Sequence, residues 1–400
     1  MRIALLTQSI APPLTGIGRY AFELATRLPA MDGIDRCEFL NDFRWTTPEA
    51  IAAVGAVQSG TSPQSSGASR FSALRQRVAR SYLASKSYSF LAARCIDRNV
   101  DVRRPDLLHS PNFYAPQVTC PLVVTVHDLS VLDHPEWHPR ARSKLLAIEL
   151  SRLHERACRV IVDSQHAANR LTTLTQIPPD RVSVVYLAAG AQYLPKLVSS
   201  AGGRNAGMVA AFKSRLRLPD AFALCVSTLE PRKNLIRLLR AYRALDRALR
   251  STIPLVLVGS RGWQDQEIVA EVARAEGEGW LRYLGYVSES DLPLLYASCT
   301  AFAYPSLYEG FGLPVLEAMQ SGAPVITSNA SSLPEVGGDA VIYCDALKED
   351  SIQQALTAIL RDANLRQDLS ARGIAQSRRF SWHRTATETV RSYKLAISNG

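Results

Sequence analysis

The sequence predicts a two-domain α/β protein in which parallel sheets are covered by helices, on three observations. At 400 residues the chain exceeds the size at which a single hydrophobic core stops growing. Short β-branched runs alternate with longer helical patterns from end to end, as parallel strands joined by helical crossovers require. One stretch near the middle, Ala188 to Asp220, contains AAGAQYLPKLVSSAGGRNAG and little hydrophobic periodicity, and reads as a linker and entry to a second domain.

Strands are expected at Ile3–Thr7, Leu107–His109, Leu122–Val126 and Val160–Val162 in the first half. In the second half they are expected at Phe222–Val226, Pro254–Val258, Leu281–Leu284, Ala301–Tyr304, Pro324–Thr327 and Val341–Tyr343. GAVQSGTSPQSSGASR, Gly55 to Arg70, is rich in Gly and Ser and reads as a surface loop. From Phe380 the segment FSWHRTATETVRSYKLAI has apolar residues at helical spacing behind Ser381 as N-cap, so the chain ends in a helix. The expected domains are residues 1–195, joined by the terminal helix 380–400, and residues 205–379.

Composition narrows the function classes. The seven scattered cysteines include no Cys-x-x-Cys pair, so neither a disulfide framework nor a zinc site is expected, and the thiols read as reduced in a cytoplasmic protein. No run approaches the roughly 20 apolar residues of a membrane span. The net charge of +10 asks for an anionic partner, and without interleaved aromatic and basic residues nucleic acid is the least supported one. Sugar diphosphates and anionic lipid remain. Between Arg70 and Arg104 lie Arg75, Arg77, Arg80, Lys86, Arg94, Arg98 and Arg103 against only Asp97 and Asp101, with Phe71, Leu74, Tyr82 and Leu83 among them. This patch suits an anionic membrane surface, and equally a solvated helix face.

Four blocks carry the chemistry. In YPSLYEGFGLPVLEAMQSGAPVI a strand ends near Tyr304, a loop holding Gly310 and Gly312 follows, and Pro314 sits in the first turn of a helix. Such an entrance aims backbone N–H groups and the positive helix end at an anion, and it carries two carboxylates, Glu309 and Glu317, able to accept from sugar hydroxyls. In CVSTLEPRKNLIRLLRAYRAL a turn with Glu230, Arg232, Lys233 and Asn234 stands between a strand and an amphipathic helix, where cations oppose the helix dipole and so call for a functional explanation. In PLVVTVHDLSVLDHPEWHP, His127 and Asp128 follow a buried strand, and His109, Ser110 and Asn112 follow another as candidate acceptor contacts. In GIGRYAFEL, Gly16, Gly18 and Ala21 have the spacing of a dinucleotide fingerprint, with Glu38 twenty residues beyond Gly18. This admits an NAD-dependent oxidoreductase, although SIAPPLT separates the glycines from the strand where the fingerprint needs them adjacent.

In this order, the blocks resemble the retaining glycosyltransferases of family four, also called group 1, which adopt the GT-B fold of two facing Rossmann-like domains with a last helix crossing back to the first. The resemblance spans nearly the whole chain, and Glu309 through Glu317 match the family's Glu-x7-Glu motif. It implies that Glu317 binds the nucleotide ribose. Glu309 and the backbone of Gly310, Phe311, Gly312 and Leu313 would hold the donor sugar, and Lys233 the diphosphate. Where the family has a Gly-Arg pair this chain has Ser227 and Thr228, and Arg232 stands in for the arginine. His127 matches the active-site histidine and Gly16 the glycine of the first loop. The TLEPRKN and HDLSVLDHPEWHP variants look like mannosyl- and rhamnosyltransferases using GDP-sugars, which makes GDP-mannose the expected donor. The expected acceptor is a saccharide or polyprenyl-linked saccharide, in surface polysaccharide or lipopolysaccharide synthesis. No metal and no cofactor beyond the nucleotide-sugar co-substrate is expected, and a non-catalytic sugar-binding relative is the remaining alternative.

Overall fold

The computed structural model describes residues 1–12, 14–41, 43–58, 82–193 and 204–398. Two compact units result. The first comprises Met1–Leu187 with Trp382–Gly400, and the second Ala188–Ser381.

The first unit contains β1 (Arg2–Leu6), β2 (Arg36–Asn41), β3 (Arg44–Thr46), β4 (Leu107–Ser110), β5 (Leu122–Val126), β6 (Arg159–Val162) and β7 (Val182–Val184), in the sheet order β3-β2-β1-β4-β5-β6-β7. All neighbours pair in parallel except β2 and β3. β1, β4, β5 and β6 have almost no exposed residue, because helices cover both faces. One face, with Ala4, Leu6, Leu108, Val124, Val126, Val160 and Val162, builds the apolar core. The other receives the helices Gly16–Arg27 and Trp382–Ser398. Tyr393 of the terminal helix meets His109 Nδ1 at 2.7 Å, and Thr385 Oγ1 donates to the Tyr186 carbonyl at 2.7 Å. That helix belongs to the first unit although the second precedes it in the chain.

The second unit contains β8 (Ala223–Val226), β9 (Leu255–Val258), β10 (Leu281–Gly285), β11 (Ala301–Tyr304), β12 (Val325–Ser328) and β13 (Ile342–Cys344), all parallel, ordered β10-β9-β8-β11-β12-β13. This is the doubly wound 3-2-1-4-5-6 order. The strand order reverses between β8 and β11, and ligands bind at such a switch point beyond the strand ends.

Three strands fall outside the expected set. β2 is mixed in polarity, β3 has three residues, and in β7 Ser183 interrupts the valines, so none shows an unbroken β-branched run. Within the stretch read as linker, Arg204–Arg215 is a helix; Phe212 is buried, while Arg215 pairs with Asp291 at the surface. Of the expected loop Gly55–Arg70, Gly55 to Gln58 end the helix Pro48–Gln58, and residues 59–70 lie outside the described residues.

Candidate functional site

Beyond β8 and β11, the structure brings three of the sequence-predicted residues into one buried cluster. Glu309 Oε1 accepts from Lys233 Nζ at 2.7 Å, from Tyr304 Oη at 2.8 Å and from Ser306 Oγ at 2.6 Å, while Oε2 accepts from Arg232 at 2.9 Å. Arg232 also donates to Glu230 Oε1 at 2.9 Å and to the Tyr308 carbonyl at 2.9 Å. Two cations and two carboxylates therefore balance out of water, where an unpaired charge would be costly. Burial by itself would raise the Glu309 pKa, but Arg232 and Lys233 outweigh it and hold the carboxyl at about 2. Burial and the Glu309 charge push the Tyr304 phenol well above its ordinary range, so it remains an O–H donor.

Local folding explains the placement. Pro231 opens a single 3-10 turn, Pro231–Lys233, which Asn234 ends in the left-handed conformation at φ +59°. The Asn234 amide then donates to the carbonyls of Pro305 at 3.0 Å and Ala346 at 2.7 Å, fastening the loop after β8 to the loops after β11 and β13. Gly312 precedes the helix Leu313–Gln320 at φ +111°, a left-handed backbone that calls for glycine, and a Cβ there would also come 2.8 Å from Leu333 Cδ2 and push that methyl aside. Ser332 Oγ contacts the carbonyls of Glu309 and Phe311 at 2.9 and 2.8 Å, and the Glu309 N–H donates to Ser331 Oγ at 2.9 Å. Gly310, Phe311, Gly312 and Leu313 thus form a pinned backbone segment beside Glu309. Glu317, on the helix, accepts from Tyr296 Oη at 3.1 Å.

In the first unit His127 is the residue after β5, and Asp163 the residue after β6. His127 Nδ1 lies 2.7 Å from Asp163 Oδ2 and Nε2 lies 3.1 Å from the Pro111 carbonyl. The Tyr20 ring stands edge-on to the imidazole at 4.9 Å between centroids. His109, read as a candidate acceptor contact, is instead a core residue. It points into the face under the terminal helix, bonded to Tyr393 and to Thr125 at 2.8 Å, and burial, aided by His127, pushes its pKa down to about 3. Ser110 Oγ donates to the Asn112 carbonyl at 3.1 Å. Gly16 opens its helix at the surface, ten residues beyond the end of β1. Gly18 is the crowded glycine, since a Cβ there would lie 2.7 Å from the Ser9 carbonyl. Glu38 lies within β2, paired with Arg36 at 2.9 Å and with Arg103.

Tyr304, Ser306, Tyr296 and Asp163 are the site residues that sequence reasoning missed. Tyr304 and Ser306 lay inside the quoted block but carried no motif signal. Asp163 is separated from His127 by 36 residues, a distance over which one sequence shows no pairing.

Two doubly wound units, the second with charged groups gathered at its switch point, define the GT-B class of transferase. The family Glycosyl transferases group 1 matches residues 210–376, and Glycosyltransferase Family 4 matches residues 14–188. O-antigen chain mannosyltransferase B of Escherichia coli is 36% identical over 395 residues, 99% of this chain and 100% of that protein. The serotype-specific mannosyltransferase WbdA of Escherichia coli is 34% identical over 61% of this chain, which spans 30% of that longer protein. Among solved structures, Anabaena Alr3699/HepE in complex with UDP and glucose superposes with a TM-score of 0.69 at 19% identity, covering 98% of this chain and 99% of the other. The chain belongs to the group 1 glycosyltransferases of family four.

Proposed function

We propose that this glycosyltransferase moves a mannosyl group from GDP-mannose, with retention of configuration, to a saccharide or polyprenyl-linked saccharide in surface polysaccharide synthesis. The observation that carries the reading is the buried Glu230–Arg232–Lys233–Glu309 cluster at the switch point of the second unit. There the diphosphate meets Lys233 and Arg232, the sugar hydroxyls meet Glu309 and the pinned backbone of Gly310 to Leu313, and the ribose meets Glu317. The choice of mannose rests on the mannosyltransferase relatives, one of them similar over its whole length. The first unit receives the acceptor through the region of Gly16 and His127.

In this reading no covalent glycosyl-enzyme forms. Glu309 spends its oxygens on Lys233, Arg232, Tyr304 and Ser306, which suits an orienting carboxylate better than a nucleophile. Lys233 and Arg232 take the role a metal would otherwise play at the leaving diphosphate. Among the described residues no group of three or more His, Cys, Asp or Glu is arranged to hold a metal.

A thermal-shift panel of nucleotides and nucleotide sugars tests the donor, since a specific ligand raises apparent stability by mass action. GDP-mannose is expected to give the largest rise, and an equal response to UDP-sugars would remove the donor assignment. NMR of the product's anomeric proton against the donor's tests retention. EDTA is expected to leave turnover unchanged, and Glu309→Gln to keep a measurable fraction of it without a trapped adduct.

We also propose peripheral attachment to an anionic membrane surface on the cytoplasmic side through the basic segment of the first unit. Arg75, Arg77, Arg80, Phe71 and Leu74 lie outside the described residues. On the helix Tyr82–Arg103, Arg94 and Arg98 are exposed, as are Leu91 and Val102, while Arg103 packs over Trp45. Among the described residues no helix is long and apolar enough to cross a membrane. Flotation with anionic but not neutral liposomes, lost at high salt, is the expected result; equal recovery with both would remove the idea.

A further inference from the structure

His127 offers the reaction less freedom than a histidine beside a reacting group usually has. β4, β5 and β6 are neighbours in the sheet, and the residues just beyond them are Pro111, His127 and Asp163. The register Val126 with Val162 makes His127 and Asp163 the next rung of the same ladder. Proline supplies a carbonyl here, which only accepts, so Nε2 must carry a hydrogen to make its 3.1 Å contact. The remaining nitrogen, Nδ1, faces Asp163 Oδ2 at 2.7 Å. The second Asp163 oxygen, Oδ1, is buried with no hydrogen-bond partner, so no other hydrogen bond relieves that carboxylate. If His127 gave up its Nδ1 proton, Asp163 would become a buried anion without a counter-charge.

We propose that Asp163 is a positioning residue of the transfer reaction: it locks His127 in one ring orientation with both nitrogens committed, so that His127 orients or stabilises without donating or accepting a proton. This rests on His127 touching the transferred or leaving group. The other groups facing the imidazole do not compete for the proton. His109 is held neutral by burial, the Tyr20 and Phe113 rings present edges at 4.9 and 6.3 Å, and Asp128 adds a second negative charge that favours the protonated ring. Burial alone would lower the His127 pKa, but Asp163 first, then the Pro111 carbonyl and Asp128, turn the net direction upward. Burial raises the Asp163 carboxyl too, so the proton stays within the pair.

The test combines selective ¹⁵N-histidine NMR of the wild-type protein with pH–rate profiles of wild type, Asp163→Asn and His127→Ala. The wild-type His127 ring is expected to titrate above the ordinary histidine value of 6.5, with both nitrogens still protonated where an ordinary histidine has begun to lose its charge. In Asp163→Asn an amide can donate to Nδ1, which leaves the ring neutral. Its rate is expected to fall about tenfold or more at pH 7 and to climb again toward acid, a limb absent from the wild type. A wild-type His127 that titrates at or below the ordinary histidine value overturns the lock, and this holds even if Asp163→Asn does not fold. A flat, wild-type profile in a folded Asp163→Asn overturns the link to the reaction. Full turnover by His127→Ala would instead remove His127 from the site, a failure of the parent reading visible in the rates while the NMR result stands.

Discussion

The two units share a strand order around their switch points, β2-β1-β4-β5-β6 in one and β9-β8-β11-β12-β13 in the other, yet they place charge differently. In the second unit the buried charges stand in the segments that leave the two switch-point strands, Arg232 and Lys233 after β8 and Glu309 after β11. In the first unit the charged pair stands one and two strands away, after β5 and β6. The residues just past β1 are uncharged, and Thr7 Oγ1, Gln8 Oε1 and Ser9 Oγ are buried without hydrogen-bond partners. Cations gathered beyond the switch-point strands suit a diphosphate, and hydroxyls and an amide with no partner within the protein suit a polyol. This difference between two like scaffolds supports giving the donor to the second unit and the acceptor to the first. Function here resides in the loops and not in the sheet.

The largest effect expected from breaking the contrast is on turnover of Lys233→Ala. If Lys233 stabilises the leaving diphosphate, its share in the transition state is about 2 to 4 kcal/mol, and kcat/KM should fall roughly 30- to 1,000-fold. The same change strips Glu309 of one of its two cations, so the melting temperature must be measured beside the rate. Loss of stability with undiminished turnover per folded molecule would make the cluster structural.

Legibility in the sequence followed the range of the interactions. The Glu309 loop was readable because glycines, a proline and two carboxylates at a helix entrance are a local pattern, and the buried central strands because β-branched runs announce themselves. What completes the Glu309 shell comes from further away. Ser331 and Ser332 arrive from a later loop, and the Asn234 amide reaches Ala346, 112 residues on. His109 and His127 carry the same local signal, a histidine at the end of a buried run. What separates them is Tyr393, which comes from 284 residues away to bury His109.

Acid should separate the units next. His109 is neutral in the fold, with its pKa depressed from 6.5 to about 3. As pH falls below 6.5 the unfolded chain gains a proton that the fold refuses, so stability drains from the first unit down to about 3, by on the order of 5 kcal/mol at most. Glu309 works lower. Its pKa is depressed from 4.5 to about 2, so its contribution is complete above 4.5 and is lost as pH falls toward 2, on the order of 3 kcal/mol. Hydrogen exchange read by mass spectrometry at pH 7, 5 and 4 should show protection falling first on β4 and the terminal helix, and only later around β8 and β11. Simultaneous loss would mean that neither group governs its unit.

The smallest expected effect is that of Tyr304→Phe, and it sharpens the comparison because it tests the second unit's cluster without changing its charge. Tyr304 receives a hydrogen bond from Lys233 at 2.8 Å and passes one to Glu309 at 2.8 Å, so the phenol is a relay between the pair and not one of its charges. The ring itself is fully buried and stacks on Phe302 at 5.8 Å, contacts that phenylalanine keeps. What is lost is two hydrogen bonds to charged partners, one accepted from Lys233 and one donated to Glu309, and because Lys233 keeps its direct bond to Glu309 the net cost is about 1.5 to 3 kcal/mol. Lys233 and Ser306 still hold the same Glu309 oxygen, which places the expected loss of stability at the low end of that range. Turnover should fall by no more than about tenfold, since each 1.4 kcal/mol is a factor of ten and only part of the loss is felt in the transition state. A fall as deep as that of Lys233→Ala would mean that the phenol itself contacts the reacting groups, and would move Tyr304 from the support of the cluster into the binding site.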